Sequence, residues 1–255
     1  MKAVLSAELY KVWNSKLVWL ASLFSIVSTV YLYIIYDHPI FDAFRGVEFF
    51  ALPTIMSDTF PFAVAIVTGY LCGENFTRGT IRNVLSRGVG KKEYYFSGLL
   101  VQFGLVTIFF GLSVAAHMIC RMIGPVGNGW QQIQLFGWKL FVLFVIAFVQ
   151  MWASVAIFYM VCFFIKNQVV DIVVCALLIL VTAIIIMAAD FYHIEWLDEV
   201  LEYTPAWVLG SMFQYAVYDR ILTFDFLKYG ISGIVVIVFC SVIGFIKFYY
   251  LDTDN

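Results

Sequence analysis

The side chains able to do chemistry in this 255-residue chain are few, and they gather in a handful of segments. Gly88-Val89-Gly90-Lys91-Lys92 has the outline of a phosphate-cradling loop. Leu85, however, stands where the first glycine is required, and no Ser or Thr follows the lysine. If ATP drives this protein, it must bind another chain. Asp190, His193 and Glu195 put three oxygen or nitrogen donors within six residues, too weak a set to assign a metal. No HExxH, paired aspartates or Ser/His pair marks an enzyme within the apolar stretches, so no catalytic residue is assigned. The five cysteines, Cys72, Cys120, Cys162, Cys175 and Cys240, contain no CxxC pair and read as small apolar packing residues.

Two segments carry more. From Gly73 to Tyr95 five positive residues face two negative ones, a net of +3. Thr80 can cap a short helix with Ile81, Val84 and Leu85 on its apolar face, and Gly88 can end it in the left-handed region. Such a basic helix suits a protein partner or anionic lipid. Between residues 189 and 229 seven acids face only Arg220 and Lys228, a net of −5. There Ile194, Leu197, Val200 and Leu201 recur at helical spacing, and Thr204-Pro205 marks a second helix start. The apolar run from Ala206 to Val217 is too short to span a bilayer and fits a re-entrant or interfacial hairpin. Glu195, Asp198, Glu199 and Glu202 suit either attraction of cationic cargo by an external lid or plain solvation of the loop.

What positions these segments is a set of six long apolar stretches, roughly 17–36, 52–72, 95–119, 137–163, 169–188 and 230–251, each able to cross a bilayer as a helix. Hydrophobic residues make up 63% of the chain and charged ones 13%, against roughly 45–50% and 25% in soluble domains. The expected fold is all-α and integral to the membrane, a single domain over 1–255 with no soluble domain beside it. The positive residues sit in short juxtamembrane stretches, which gives nucleic-acid binding no support. With the N-terminus inside, ten Lys and Arg fall on the cytoplasmic side and five outside, which favours both termini cytoplasmic. Charges before the first span and the lack of a small-residue cleavage site argue for a retained anchor.

Residues 1–16 form an expected amphipathic helix along the headgroups, with Leu5, Leu9, Val12 and Trp13 on one face and Glu8, Lys11 and Ser15 on the other. The alternative is a plain extension of the first span. Asp58, beside Pro61, is a carboxylate in an apolar stretch, either the wall of a substrate route or a group hydrated near the outer surface. Gln102, His117 and Gln150 suit interhelical hydrogen bonds, and Gly69 with Gly73 permits close helix approach.

The run from Glu74 through Gly79-Thr80-Ile81-Arg82-Asn83-Val84-Leu85-Ser86-Arg87-Gly88 to Lys91-Lys92-Glu93-Tyr94 resembles the first cytoplasmic loop of type-2 ATP-binding-cassette (ABC) exporter permeases. Here one extra residue separates Glu74 from Gly79, and Lys91-Lys92 stands where that family often has an Arg. Residues 7–16 look like the family's elbow helix. The resemblance implies six transmembrane helices, a cytoplasmic coupling loop over 73–94, and short external re-entrant helices within 189–229 before the last span. It also implies two cytosolic ATPase subunits that carry ATP and Mg, with no cofactor on this chain, and a second copy of this chain or a related permease. Glu74, Arg78, Gly79, Thr80, Arg82, Ser86 and Arg87 are the implied coupling residues. The small size resembles bacterial plasma-membrane permeases for peptide export, bacteriocin immunity and peptide-antibiotic resistance, moving amphipathic or hydrophobic cargo outward. An intramembrane enzyme or a non-ABC membrane protein is the alternative.

Overall fold

The computed structural model describes residues 2–36, 60–123, 129–217 and 225–250, and every regular element among them is an α-helix. In chain order these are α1 (Lys2–Asn14), α2 (Lys16–Tyr36), α3 (Phe60–Thr77), α4 (Thr80–Ser86) and α5 (Lys91–Ile123). They continue with α6 (Gly129–Ile165), α7 (Gln168–Tyr192), α8 (Glu195–Leu201), α9 (Pro205–Val217) and α10 (Phe226–Tyr249). Lipid offers no partner to a peptide group, so each long apolar segment closes its hydrogen bonds within itself. Four described segments are long and apolar enough to cross a membrane: Lys91–Cys120, Phe141–Ile165, Gln168–Ala189 and Phe226–Tyr249. Lys16–Tyr31 forms a shorter apolar helix. The start of the second expected span, with Asp58, lies outside the described residues.

α6 is the central element. α10 packs along it, α3 joins it from another side, and α5 and α9 also rest on it. The seam between α3 and α7 is set by glycine. A Cβ on Gly73 would lie 2.5 Å from Gln168 Cα, and one on Gly69 would lie 3.2 Å from the Ile172 backbone. The sequence pair thus does permit close approach, and its partner is the first turn of α7. Buried amides tie the other helices together, as expected for groups that find no water. Gln150 Nε2 donates to the Tyr229 carbonyl at 2.7 Å, and Thr68 Oγ1 donates to Gln102 Oε1 at 3.4 Å. Near the α4 end, Tyr95, Tyr159, Phe163 and Phe248 form an aromatic cluster with centroids 5.0–6.2 Å apart.

α1 forms where the N-terminal amphipathic helix is expected. Glu8 and Lys11 are half-buried, with Lys11 reaching α3, while Leu9 and Trp13 are 51% and 70% exposed. The physical reason is the solvent: beside lipid an apolar outer face costs nothing, and the polar groups are better spent on one another. α1 is separated from α2 only by a break at Ser15.

Candidate functional site

The end of the bundle that carries α4 is built around the last turn of α3. Glu74 is buried and grips two cations: Arg78 at 2.8 Å, one turn on, and Lys11 of α1 at 3.4 Å. Lys11 Nζ also donates to the Leu71 carbonyl and, at 2.9 Å, to Asn75 Oδ1. Asn75 Nδ2 in turn donates to Glu8 Oε1 at 3.4 Å. Burial pushes the Glu8 carboxyl above its ordinary range, and the neighbouring Glu74 adds to that, although Lys11 and Asn75 pull it down. Val84, Val89, Arg87, Thr80 and Tyr94 complete a cavity of about 420 Å³ over this cluster. Lys91 Nζ donates to the Tyr249 carbonyl at 2.9 Å, where the C-terminal end of α10 favours a cation.

α4 itself hangs from α3 by a two-residue turn. Thr80 is not its cap: the N-cap is Gly79, at φ 63°, and Thr80 is the first helical residue. The reversal out of α3 needs a left-handed residue there, which glycine adopts without penalty. Gly88, at φ 85°, ends the turn after α4 as expected, its N–H donating to the Leu85 carbonyl at 3.0 Å. Ile81 is buried beneath α4, whereas Arg82, Ser86 and Arg87 are exposed, as is Arg78. The seven implied coupling residues therefore divide. Glu74 is an internal clamp, Gly79 and Thr80 form the turn into α4, and Arg78, Arg82, Ser86 and Arg87 present an exposed polar surface.

At the opposite end α8 and α9 follow α7. His193, at φ 51°, turns the chain out of α7, and Pro205 opens α9 with Thr204 ahead of it, its Oγ1 accepting from Trp207 N at 3.4 Å. Glu202 is paired within the chain. Lys228 Nζ and Tyr229 OH both reach it at 2.5 Å, and the same lysine lies over the Tyr203 ring at 4.9 Å. Burial raises the Glu202 carboxyl, but the hydrogen bonds from Lys228 and Tyr229 outweigh it and hold the group below its ordinary range. Glu195 and Glu199 are exposed, and Asp198 is half-buried in a hollow. The side chain of Asp190 lies outside the described residues, and among those described no cluster of His, Cys, Asp and Glu could hold a metal.

One buried ionisable residue escaped the sequence reading. Asp171 is fully buried in the first turn of α7, its oxygens accept no hydrogen bond of ordinary length, and the Cys162 thiol stands beside it. The signal was a lone carboxylate four residues after Asn167, which caps α7 by accepting from Val169 and Val170. The five cysteines are free thiols.

An all-helical bundle of lipid-compatible helices with a short polar helix slung beneath one end is the form of a membrane transport subunit. The family model for ABC-2 family transporter proteins matches residues 4–182, and the chain belongs to that family. Membership makes it a permease of the ABC class and implies ABC ATPase subunits as partners. No curated protein and no solved structure matches the chain.

Proposed function

We propose that this chain is the membrane half of an ABC exporter. Two cytosolic ATPases would bind ATP and Mg and drive two six-helix permeases, whose second copy is this chain or a relative. The cargo is amphipathic or hydrophobic, with peptides and peptide antibiotics the favoured class, and it moves outward across a bacterial plasma membrane with both termini cytoplasmic. The observation that carries this reading is the mechanical continuity of α4. Its exposed face offers Arg82, Ser86 and Arg87 to a partner, and Ile81 fixes its other face. Through Gly79 it continues into α3, which Glu74 clamps to α1 and Gly73 locks against α7. A push on α4 is thus passed to helices that line the membrane, as a rigid-body rocking mechanism needs.

Arg82→Glu tests it. Reversing an exposed charge at a docking surface damages association far more than it damages a lipid-facing fold. The variant should insert and purify as a monodisperse protein, yet lose copurification of its ATPase. Unchanged copurification together with unchanged transport would remove the coupling assignment.

A further inference from the structure

Two hollows meet at the end of the bundle that carries α8 and α9. The larger, about 610 Å³, lies between α6, α7, α9 and α10, with Ile157, Phe158, Ile179, Leu209 and Phe239 in its walls. That volume falls within the range of about 300–1,000 Å³ typical of small-ligand sites. Three of its wall hydroxyls already donate to nearby backbone carbonyls. Ser154 donates to the Gln150 carbonyl at 3.1 Å, Thr182 to Leu178 at 2.7 Å and Thr204 to Leu201 at 2.7 Å. With those three donors occupied and most of the remaining wall hydrocarbon, the chamber favours an apolar group.

The second hollow, about 430 Å³, shares Ile186, Met187, Ala206 and Gly210 with the first and adds Asp198, Trp207 and Ser211. Ser211 Oγ donates to the Val208 carbonyl at 3.0 Å. Among the described residues no side chain pairs with the Asp198 carboxylate, in contrast to Glu202, which Lys228 and Tyr229 occupy. The two hollows thus adjoin along Ile186, Met187, Ala206 and Gly210, and the second adds one carboxylate and one indole ring, a combination that suits a cation.

We propose that these joined hollows bind a single-chain cationic amphiphile, its alkyl chain in the larger chamber and its cationic head against Asp198 and Trp207. As a statement about cargo this rests on the exporter reading, whereas as a statement about a binding site it does not. The site lies within one permease and needs no ATPase to be occupied.

The test uses the full-length permease in phosphatidylcholine nanodiscs, with radiolabelled dodecyltrimethylammonium as probe and dodecanol as the uncharged chain of equal length. Equilibrium dialysis against empty nanodiscs subtracts partition into lipid. The native protein should bind both probes saturably, the cationic one more tightly and with an advantage that shrinks as salt rises. Asp198→Asn should weaken the cationic probe about fivefold, the upper range for one partly exposed charge pair, and leave dodecanol unchanged. Gly210→Leu should weaken both probes at least tenfold. A Cβ on Gly210 meets nothing within 4 Å, so the added side chain has room to enter the hollow without displacing backbone. The proposal fails if the native protein shows no saturable binding above empty discs, or if Asp198→Asn binds the cationic probe as tightly as the native chain. Asp198→Asn is isosteric and half-exposed, so it decides the matter even where Gly210→Leu does not fold. Because no ATPase is present, the result is independent of the Arg82→Glu experiment.

Discussion

Adding one carbon at Gly73 probes the seam on which the lever depends. The new Cβ would sit 2.5 Å from Gln168 Cα and 3.1 Å from its amide nitrogen, where ordinary contact begins at 3.4 Å. The shortfall is about 0.9 Å against backbone, which cannot rotate away as a side chain can. A gap of that size opened along the α3–α7 seam forfeits about a quarter to a half of each contact's dispersion well. Overpacking costs about 1–3 kcal/mol, and backbone on backbone belongs at the upper end. Alanine returns about 1 kcal/mol of helix propensity, leaving Gly73→Ala destabilised by about 2 kcal/mol. Gly104→Ala is the matched control: its Cβ meets nothing within 4 Å, so it should gain the propensity alone. For a chain of this size the two shifts correspond to a midpoint about 4–8 °C lower for Gly73→Ala and about 2–4 °C higher for Gly104→Ala. Thermal melts of the purified protein, read by loss of the monodisperse peak, measure the difference. Equal midpoints for the two variants would refute the close seam.

Glu202 sets a pH limit on the end of the bundle that carries α8 and α9. Its carboxyl is held below the ordinary range, so its contribution is present above the unfolded value of about 4.3 and is lost as pH falls through the depressed folded value. Protection of the α8 amides from hydrogen exchange, taken relative to the intrinsic rate at each pH, should therefore fall on acidification below about pH 4, with Asp225 the neighbouring acid that opposes the pairing. In Glu202→Gln that protection should already be low at pH 7 and flat through the same window, and a native profile in that variant would contradict the assignment. For topology, single cysteines at Arg87 and Glu199, in a background freed of native cysteines, should react with an impermeant thiol reagent from opposite sides of the membrane. Labelling of both from outside intact cells would overturn the proposed orientation.

The sequence by itself determined the kind of protein and the punctuation of its helices. Long apolar segments can meet their backbone needs in lipid only as helices, so hydropathy alone announces them. Gly88 and Thr204-Pro205 announced their turns because a left-handed residue or a proline imposes its geometry on two or three neighbours. The basic loop after α3 was legible for the same reason: its charges and glycines lie within one short stretch of chain. Gly79 was misjudged in favour of Thr80, because both caps are locally reasonable and only the angle between α3 and α4 decides between them. Other matters were decided by tertiary structure alone. Lipid is as apolar as a protein core, so the pattern on α1 could not reveal that Lys11 meets Glu74 and Asn75 of α3. Glu202 and Asp198 are indistinguishable four residues apart in an acidic run, yet the first meets Lys228 in the opening turn of α10 and the second lines a hollow. Asp171 looked like one polar letter in an apolar helix until α6 laid Cys162 beside it. Such pairings join residues far apart in the chain, and their energies exist only once the helices have met.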